Sequence, residues 1–330
     1  MKLEIYWMRH AISCNNIKKK IQKILHFYKM KDPSILLGAM LTIIEMKKFL
    51  PKKMRDCKLV LCSEMKRTMQ TAILNYPEHF INGKIKIIKG VNEHSRTFDI
   101  ARGNIPQKIL ILKKELKFSI LFLHKFIKES DNKKYKEYKL YNYLNNCKNI
   151  EKTLDKLIDN LFSDINNKHF DNLVKLREDE NNIVNSLFNY LKPKNISKIV
   201  IISHSNFISK NIFKNKDDFL HLIRTNEKKL YNNQILHKKY TKLNSNNNIK
   251  FTEKIYPYGC MYKNNEITCF HNYNMLDKYA YKTNTKKKYI KKNKKNKKIT
   301  HTIKFNNNKS ICSNKKHISK KMNKTLNIKH

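Results

Sequence analysis

Glycine and proline are scarce in this 330-residue chain, five and six respectively, which excludes collagen-like and proline-rich architectures. Long apolar stretches are missing as well. The longest, residues 35–44, is about half of the roughly 20 residues that a bilayer-spanning helix needs. The opening residues MKLEIYWMRH contain no signal-peptide core, so a soluble, cytoplasmic protein without a membrane span is expected. The seven cysteines, at positions 14, 57, 62, 147, 260, 269 and 312, include no CxxC pair; neither a disulfide framework nor a zinc site is expected. Acidic residues are few, 26 against 71 Lys and Arg, and the formal net charge is +45.

What is present points to a globular protein. Hydrophobic residues make up 40% of the chain and aromatic residues 10%, enough apolar surface to offset the cost of ordering most of it. The charge is unevenly spread. Residues 282–330 carry 18 Lys and no acid, and this Lys/Asn-rich tail is expected to be disordered. One reading of the excess is compositional background, since Asn is also abundant, as in the runs 246–248 and 306–308. The other is weak binding of the tail to a polyanion, because clustered Lys releases condensed counterions. No zinc-finger spacing and no regular interleaving of aromatics accompanies it.

Strand-like and helix-like runs alternate in the first hundred residues, the pattern of βαβ units in a largely parallel sheet. Strands are expected at 3–7, 58–62, 84–88 and 198–202, with helices at 17–28, 39–50 and 65–74 and another starting near 206. Further strands are expected at 234–240 and in a hairpin of 256–261 with 267–270, turning at Asn264 and Asn265. Between about 104 and 191, Lys/Leu/Ile-rich segments with helical spacing suggest a helical insertion or lid. The expected organisation is one folded domain over residues 1–281, containing that insertion, followed by the tail over 282–330. The fold class is α/β: an open, mostly parallel sheet between two helical layers.

Polar clusters stand just beyond the ends of four of these strands: Arg9 and His10, Ser63 to Arg67, Glu93, and Ser203 with His204. In an open parallel sheet the ligand crevice lies outside the carboxyl ends of the strands, so all four can face one pocket although 194 positions separate His10 from His204. The residues also resemble a known family. Arg9-His10-Ala11-Ile12-Ser13-Cys14-Asn15-Asn16 is similar to the RHGxSxxN motif of the histidine phosphatase superfamily, the phosphoglycerate mutase-like fold. Ser63-Glu64-Met65-Lys66-Arg67-Thr68-Met69-Gln70-Thr71-Ala72 matches SxxxRTxQTA at every fixed position. Asn92-Glu93 resembles the acidic element, and Ile202-Ser203-His204-Ser205 the late VSHG. The resemblance covers roughly residues 1–100 and 196–275. Ala11 and Ser205 stand where the family carries glycine.

The resemblance implies a phosphomonoester hydrolase that needs neither metal nor cofactor and works through a phosphohistidine. His10 would be the nucleophile, with one ring nitrogen unprotonated and the other donating to a fixed acceptor such as a backbone carbonyl. Arg9 and Arg67 would bind the phosphate oxygens, His204 would be a further donor, and Glu93 would protonate the leaving oxygen and then activate water. Glu45, Glu78 and Asp99 are other acids of the region. Ser13 and Asn16 would support the phosphate loop. Ser63 has two readings, a phosphate-site residue or a helix cap. The substrate class is a phosphorylated small molecule or protein. Alternatives are a phosphoglycerate mutase, against which stands the lack of any adjacent Arg-Arg pair, and an inactive phosphate- or polyanion-binding member.

Overall fold

The computed structural model describes residues 2–13, 34–92, 105–166, 180–212, 230–242, 249–263, 266–271 and 302–304. Six strands form one sheet: β1 (Lys2–Arg9), β2 (Leu59–Ser63), β3 (Ile85–Ile88), β4 (Lys198–Ser203), β5 (Ile235–Lys242) and β6 (Ile249–Tyr256). Their order is β3-β2-β4-β1-β5-β6. β3, β2, β4 and β1 run parallel, whereas β5 and β6 close the sheet antiparallel. The expected mostly parallel sheet is therefore present, with antiparallel strands at one side.

Alternation along the strands explains the layers. Leu3, Ile5 and Trp7 of β1 and Ile199 and Ile201 of β4 enter one buried cluster; Tyr6, Met8, Val200 and Ile202 enter another. Successive strand residues point to opposite faces, so both faces of the sheet are apolar and each needs a helical cover. One face is covered by α1 (Leu37–Met46), α3 (Lys66–Asn75), α5 (Ile105–Glu129) and α8 (Ile150–Phe162); the other by α9 (Glu180–Leu191) and the start of α10 (Ser205–Phe207). Three short helices, α2 (Lys52–Arg55), α4 (Pro77–Ile81) and α6 (Lys133–Lys136), and α7 (Lys139–Asn145) complete the α-helices among the described residues.

Helices α5 to α9 fall in the segment expected to be a helical insertion. Leu112, Leu116, Ile120, Leu123 and Ile127 of α5 share one core with Leu154, Leu157 and Leu161 of α8 and with Val60 and Ile85 of the sheet. This part of the chain thus covers the sheet itself, α5 and α8 on one face and α9 on the other. On the opposite face, Lys238 of β5 is fully buried and pairs with Glu180 at the start of α9 at 2.7 Å, while the Tyr240 hydroxyl donates to the same carboxylate oxygen at 2.8 Å. Lys238 also pairs with Glu253 at 3.4 Å and donates to the Ile212 carbonyl at 2.6 Å, so the buried charge is fully engaged.

Elements differ from expectation in several places, and β6 has no expected counterpart. The helix expected at 39–50 is α1 followed by a 3₁₀ turn at Lys47–Phe49, stopped before Pro51, whose ring disfavours a helical residue ahead of it. The helix expected from 206 is the short α10 running directly into a π-helical turn, Ile208–Ile212. Tyr256 belongs to β6, so the hairpin consists of β7 (Gly259–Lys263) and β8 (Glu266–Phe270). The expected helix at 17–28 and the turn at 264–265 lie outside the described residues.

The hairpin corrects one expectation. Cys260 and Cys269 are directly opposed in its register and form a disulfide. A pair separated by nine positions lacks CxxC spacing, yet a hairpin brings it face to face. Cys57, Cys62 and Cys147 are free. A third strand of this small sheet, β9 (Thr302–Lys304), pairs with β8 and comes from the segment expected to be a disordered tail; the remainder of that tail lies outside the described residues. Among the described residues, no helix is long and apolar enough to cross a membrane.

Candidate active site

Neighbouring parallel strands in register bring remote residues to one level. Arg9 at the end of β1 is paired with Ser203 at the end of β4, and Cys62 of β2 with Ile202 of β4. The next residues, His10, His204 and Ser63, therefore emerge together at the carboxyl edge of three adjacent strands, the position where parallel sheets bind ligands. The Ser203 hydroxyl donates to the Val91 carbonyl at 2.5 Å, tying the end of β3 to the same edge.

Arg67 lies between the two imidazoles. Its Nε donates to His10 Nε2 at 3.3 Å, and its Nη2 is 3.3 Å from His204 Nδ1. The His10 and His204 ring centroids are 5.1 Å apart. All three side chains are buried, with Arg67 at 2% exposure. The tautomers follow from the partners. His10 Nδ1 is 2.7 Å from the Ala11 carbonyl, which can only accept, so Nδ1 carries the proton and Nε2 presents its lone pair. His204 Nδ1 faces a guanidinium, which only donates. Its Nε2–H is thus directed to Ser63 Oγ at 2.9 Å; Ser63 in turn faces Thr68 Oγ1 at 2.9 Å, and Thr68 donates to the Met65 carbonyl at 2.6 Å.

These contacts explain the polar spacing of the second motif on α3. Thr68 closes the chain that orients His204. Gln70 accepts the Ile35 amide through Oε1 at 2.9 Å. Thr71 donates to the Arg67 carbonyl at 2.7 Å and accepts the Ala11 amide at 3.0 Å. One helical face thereby carries Arg67 and fixes the chain immediately after His10. Ser63 does not cap α3, whose N-cap position is Met65 with no side-chain cap bond; its hydroxyl is instead a partner of His204.

Both imidazoles are held well below the ordinary histidine range. Burial, which penalises the charged form, is the largest cause for each, followed by the Arg67 charge; the Arg9 charge adds to it. The result is a neutral His10 whose unprotonated Nε2 accepts from the Arg67 guanidinium, the form in which an imidazole is nucleophilic once that bond is exchanged for a substrate.

A segment that the sequence did not flag closes the other side. The Arg9 guanidinium donates through Nη1 to the Leu230 carbonyl. The Asn233 amide donates to the Arg9 carbonyl at 3.0 Å, the Arg9 amide to the Gln234 carbonyl at 3.0 Å, and Asn232 Nδ2 to the His10 carbonyl at 3.0 Å. Asn233 sits at φ 59°, a left-handed conformation that asparagine tolerates better than most residues.

The candidate residues divide as follows. Arg9, His10, Ser63, Arg67 and His204 are brought together. Ser13 is buried and bridges Ile35 across a single β-bridge. Asn16 and Glu93 lie outside the described residues; Asn92, adjacent to Glu93, donates to Glu64 at 2.8 Å. Glu45 accepts from Tyr135 and Glu78 pairs with Lys47, so both carboxylates are engaged elsewhere, and Asp99 lies outside the described residues. Ala11 and Ser205 adopt ordinary backbone conformations, since positive φ among described non-glycine residues occurs at Asn195 and Asn233. Replacement of glycine at these two places therefore carries no backbone strain. Among the described residues no cluster of His, Cys, Asp or Glu could hold a metal ion.

No protein-family model matches the chain, and no curated protein matches it in sequence. Solved structures are similar to it in structure. The chain is similar to a phosphoglycerate mutase from Bacillus anthracis (10% identity, 84% of this chain and 96% of that one, TM-score 0.34). It is also similar to a phosphoserine phosphatase mutant from Entamoeba histolytica (12%, 76% and 95%, 0.32) and to the alpha-ribazole phosphatase from Shigella flexneri (12%, 76% and 95%, 0.31).

Proposed function

We propose that this protein is a metal-independent phosphomonoester hydrolase that works through a phosphohistidine. The observation that carries the reading is the buried Arg67 guanidinium set between two neutral imidazoles, one of which presents Nε2 with its lone pair. A module that only bound polyanions would have no use for a nucleophile locked in one tautomer.

The reaction follows from these groups. A phosphate dianion entering between the rings draws the Arg67 N–H groups away from His10 and His204 and onto its own oxygens, where forked, charge-assisted bonds are strongest. His10 Nε2 then attacks phosphorus in line with the ester oxygen; the N–P bond forms as the P–O bond breaks. The Nδ1–H bond to the Ala11 carbonyl stabilises the cationic ring that results. The leaving oxygen takes a proton from Glu93. His204, relieved of Arg67 and facing a dianion, takes up a proton from solvent as the substrate binds, donates to the transferring oxygens, and gives the proton back to solvent when phosphate leaves. Water attacks the phosphohistidine in the second half, giving its proton to the Glu93 carboxylate, and inorganic phosphate leaves with His10 neutral again. Hydrolysis is favoured over mutase-type return of the phosphoryl group because the chain has no adjacent Arg-Arg pair for a second substrate anion.

The test is phosphate release from p-nitrophenyl phosphate in EDTA. Wild type turns over, and H10A does not; equal rates for the two would overturn the reading. Polyanion binding by the tail is a separate proposal: a chain ending at residue 281 should show weaker salt-sensitive retention on heparin, with turnover nearly intact.

A further inference from the structure

We propose that Asn232 is the positioning residue that aims His10, an inference that rests on His10 being the nucleophile. β1 and β5 pair antiparallel up to Met8 and Ile235, and the pattern continues for one more step through the amide of Arg9 to Gln234 and the amide of Asn233 to Arg9. At His10 the ladder has no main-chain donor left, because the backbone turns at Asn233 with φ 59°. The Asn232 side-chain amide takes that place, donating to the His10 carbonyl at 3.0 Å. On its other side the His10 amide donates to Ser203 at 2.9 Å. His10 is thus held from β4 and from the 230–234 segment at once.

The carbonyl in question belongs to the peptide that links His10 to Ala11. Rotation of that peptide moves the whole turn carrying the Ala11 carbonyl, and with it the acceptor that selects the Nδ1–H tautomer. Asn232 itself is anchored. It is buried, and its own carbonyl accepts the Cys260 amide of β7 at 2.7 Å. Gly259 is required at this junction, since a Cβ there would stand 3.0 Å from the Asn232 carbonyl oxygen and 2.9 Å from the Phe270 ring. Asparagine suits the position chemically: an ionised carboxylate cannot donate, and serine is too short to reach.

The experiment compares full-length wild type, N232A and N232D by steady-state turnover of p-nitrophenyl phosphate and by histidine ¹⁵N NMR without substrate. N232A should lose about 10- to 100-fold in kcat, the cost of a misplaced reacting group, with KM changed less than about twofold, and His10 should pass from a single Nδ1–H tautomer to a mixture. N232D should be as slow at neutral pH and recover toward wild type as the pH falls and the neutral carboxyl becomes a donor to the His10 carbonyl. That recovery is a signature that general loss of stability would not produce, and N232D, being isosteric, decides the matter if N232A does not fold. Wild-type kcat in either variant, or an N232D-to-wild-type ratio independent of pH with the His10 tautomer unchanged, would overturn the proposal. An inactive wild type would instead strike at the nucleophile assignment, while the NMR comparison would still decide whether Asn232 fixes the ring.

Discussion

Replacing Arg67 by methionine removes the guanidinium from between His10 and His204 while keeping much of the buried side-chain volume. Two consequences can be worked from the structure. The first is on rate: the side chain supplies Nε to one ring and Nη2 to the other, each at 3.3 Å, and in the proposed reaction both turn to the transferring oxygens. Loss of one preorganised donor costs about 10²–10³-fold, roughly 3–4 kcal/mol, and loss of a transferring-phosphate arginine reaches about 10³–10⁵-fold. A drop of at least about 10²-fold in kcat/KM is therefore expected. The second is on protonation. The Arg67 charge is the second-largest cause of the lowered values of both imidazoles, after burial. In R67M both should titrate higher than in wild type, though below the ordinary value because burial remains. R67K separates the two effects: its ammonium keeps the titration close to wild type, but it lacks the fork and stays slow. Phosphate release and histidine Cε1–H NMR titrations read these outcomes. A rate loss under tenfold in R67M, or imidazole titrations unmoved by it, would refute the reasoning.

Other perturbations follow from the same contacts. S63A removes the acceptor of His204 Nε2–H at a fully buried position, so kcat should fall about tenfold and stability by about 1–3 kcal/mol, measured by urea unfolding; wild-type behaviour would deny Ser63 its orienting role. Acid should destabilise the fold: His10 and His204 are depressed below their unfolded value, so the unfolded chain binds protons that the native one does not. Stability is then full above about pH 6.5 and declines below it, by up to about 1.4 kcal/mol per pH unit for each ring. H10N combined with H204N should flatten the Tm–pH profile without abolishing its slope, since His79 and His237 are also lowered by burial. Reduction of the Cys260–Cys269 bond, which closes a short loop, should cost about 2–3 kcal/mol, read as a lower Tm in dithiothreitol that the C260A/C269A double variant does not show.

Much of this arrangement could be read from the chain because the informative residues are local. β2, β4 and the 5–8 stretch of β1 are buried on both faces and appear as apolar runs, and each strand ends at a polar residue. β6 escaped notice for the opposite reason: as an edge strand it presents Lys250, Thr252 and Lys254 to solvent, the charged character that protects sheet edges also erasing the apolar signal. The role of Asn232 was invisible, since it depends on a ladder running out at His10 and on the left-handed turn at Asn233. The disulfide lay within reach: a hairpin turning at 264–265 already puts 260 opposite 269, and only cysteine spacing, judged without register, argued against it. Ser63 illustrates a further limit. Its residue type suggests a cap or a phosphate ligand; the structure removes the cap and gives it a histidine partner 141 positions away, a pairing that exists only once β2 and β4 are adjacent.

The most direct test of the account is to trap the covalent intermediate. Enzyme quenched in base during turnover of a ³²P-labelled monoester should carry label that survives alkali, is lost in mild acid, and maps to the peptide containing His10. Label that resists acid, maps to another residue, or persists undiminished in H10A would contradict it.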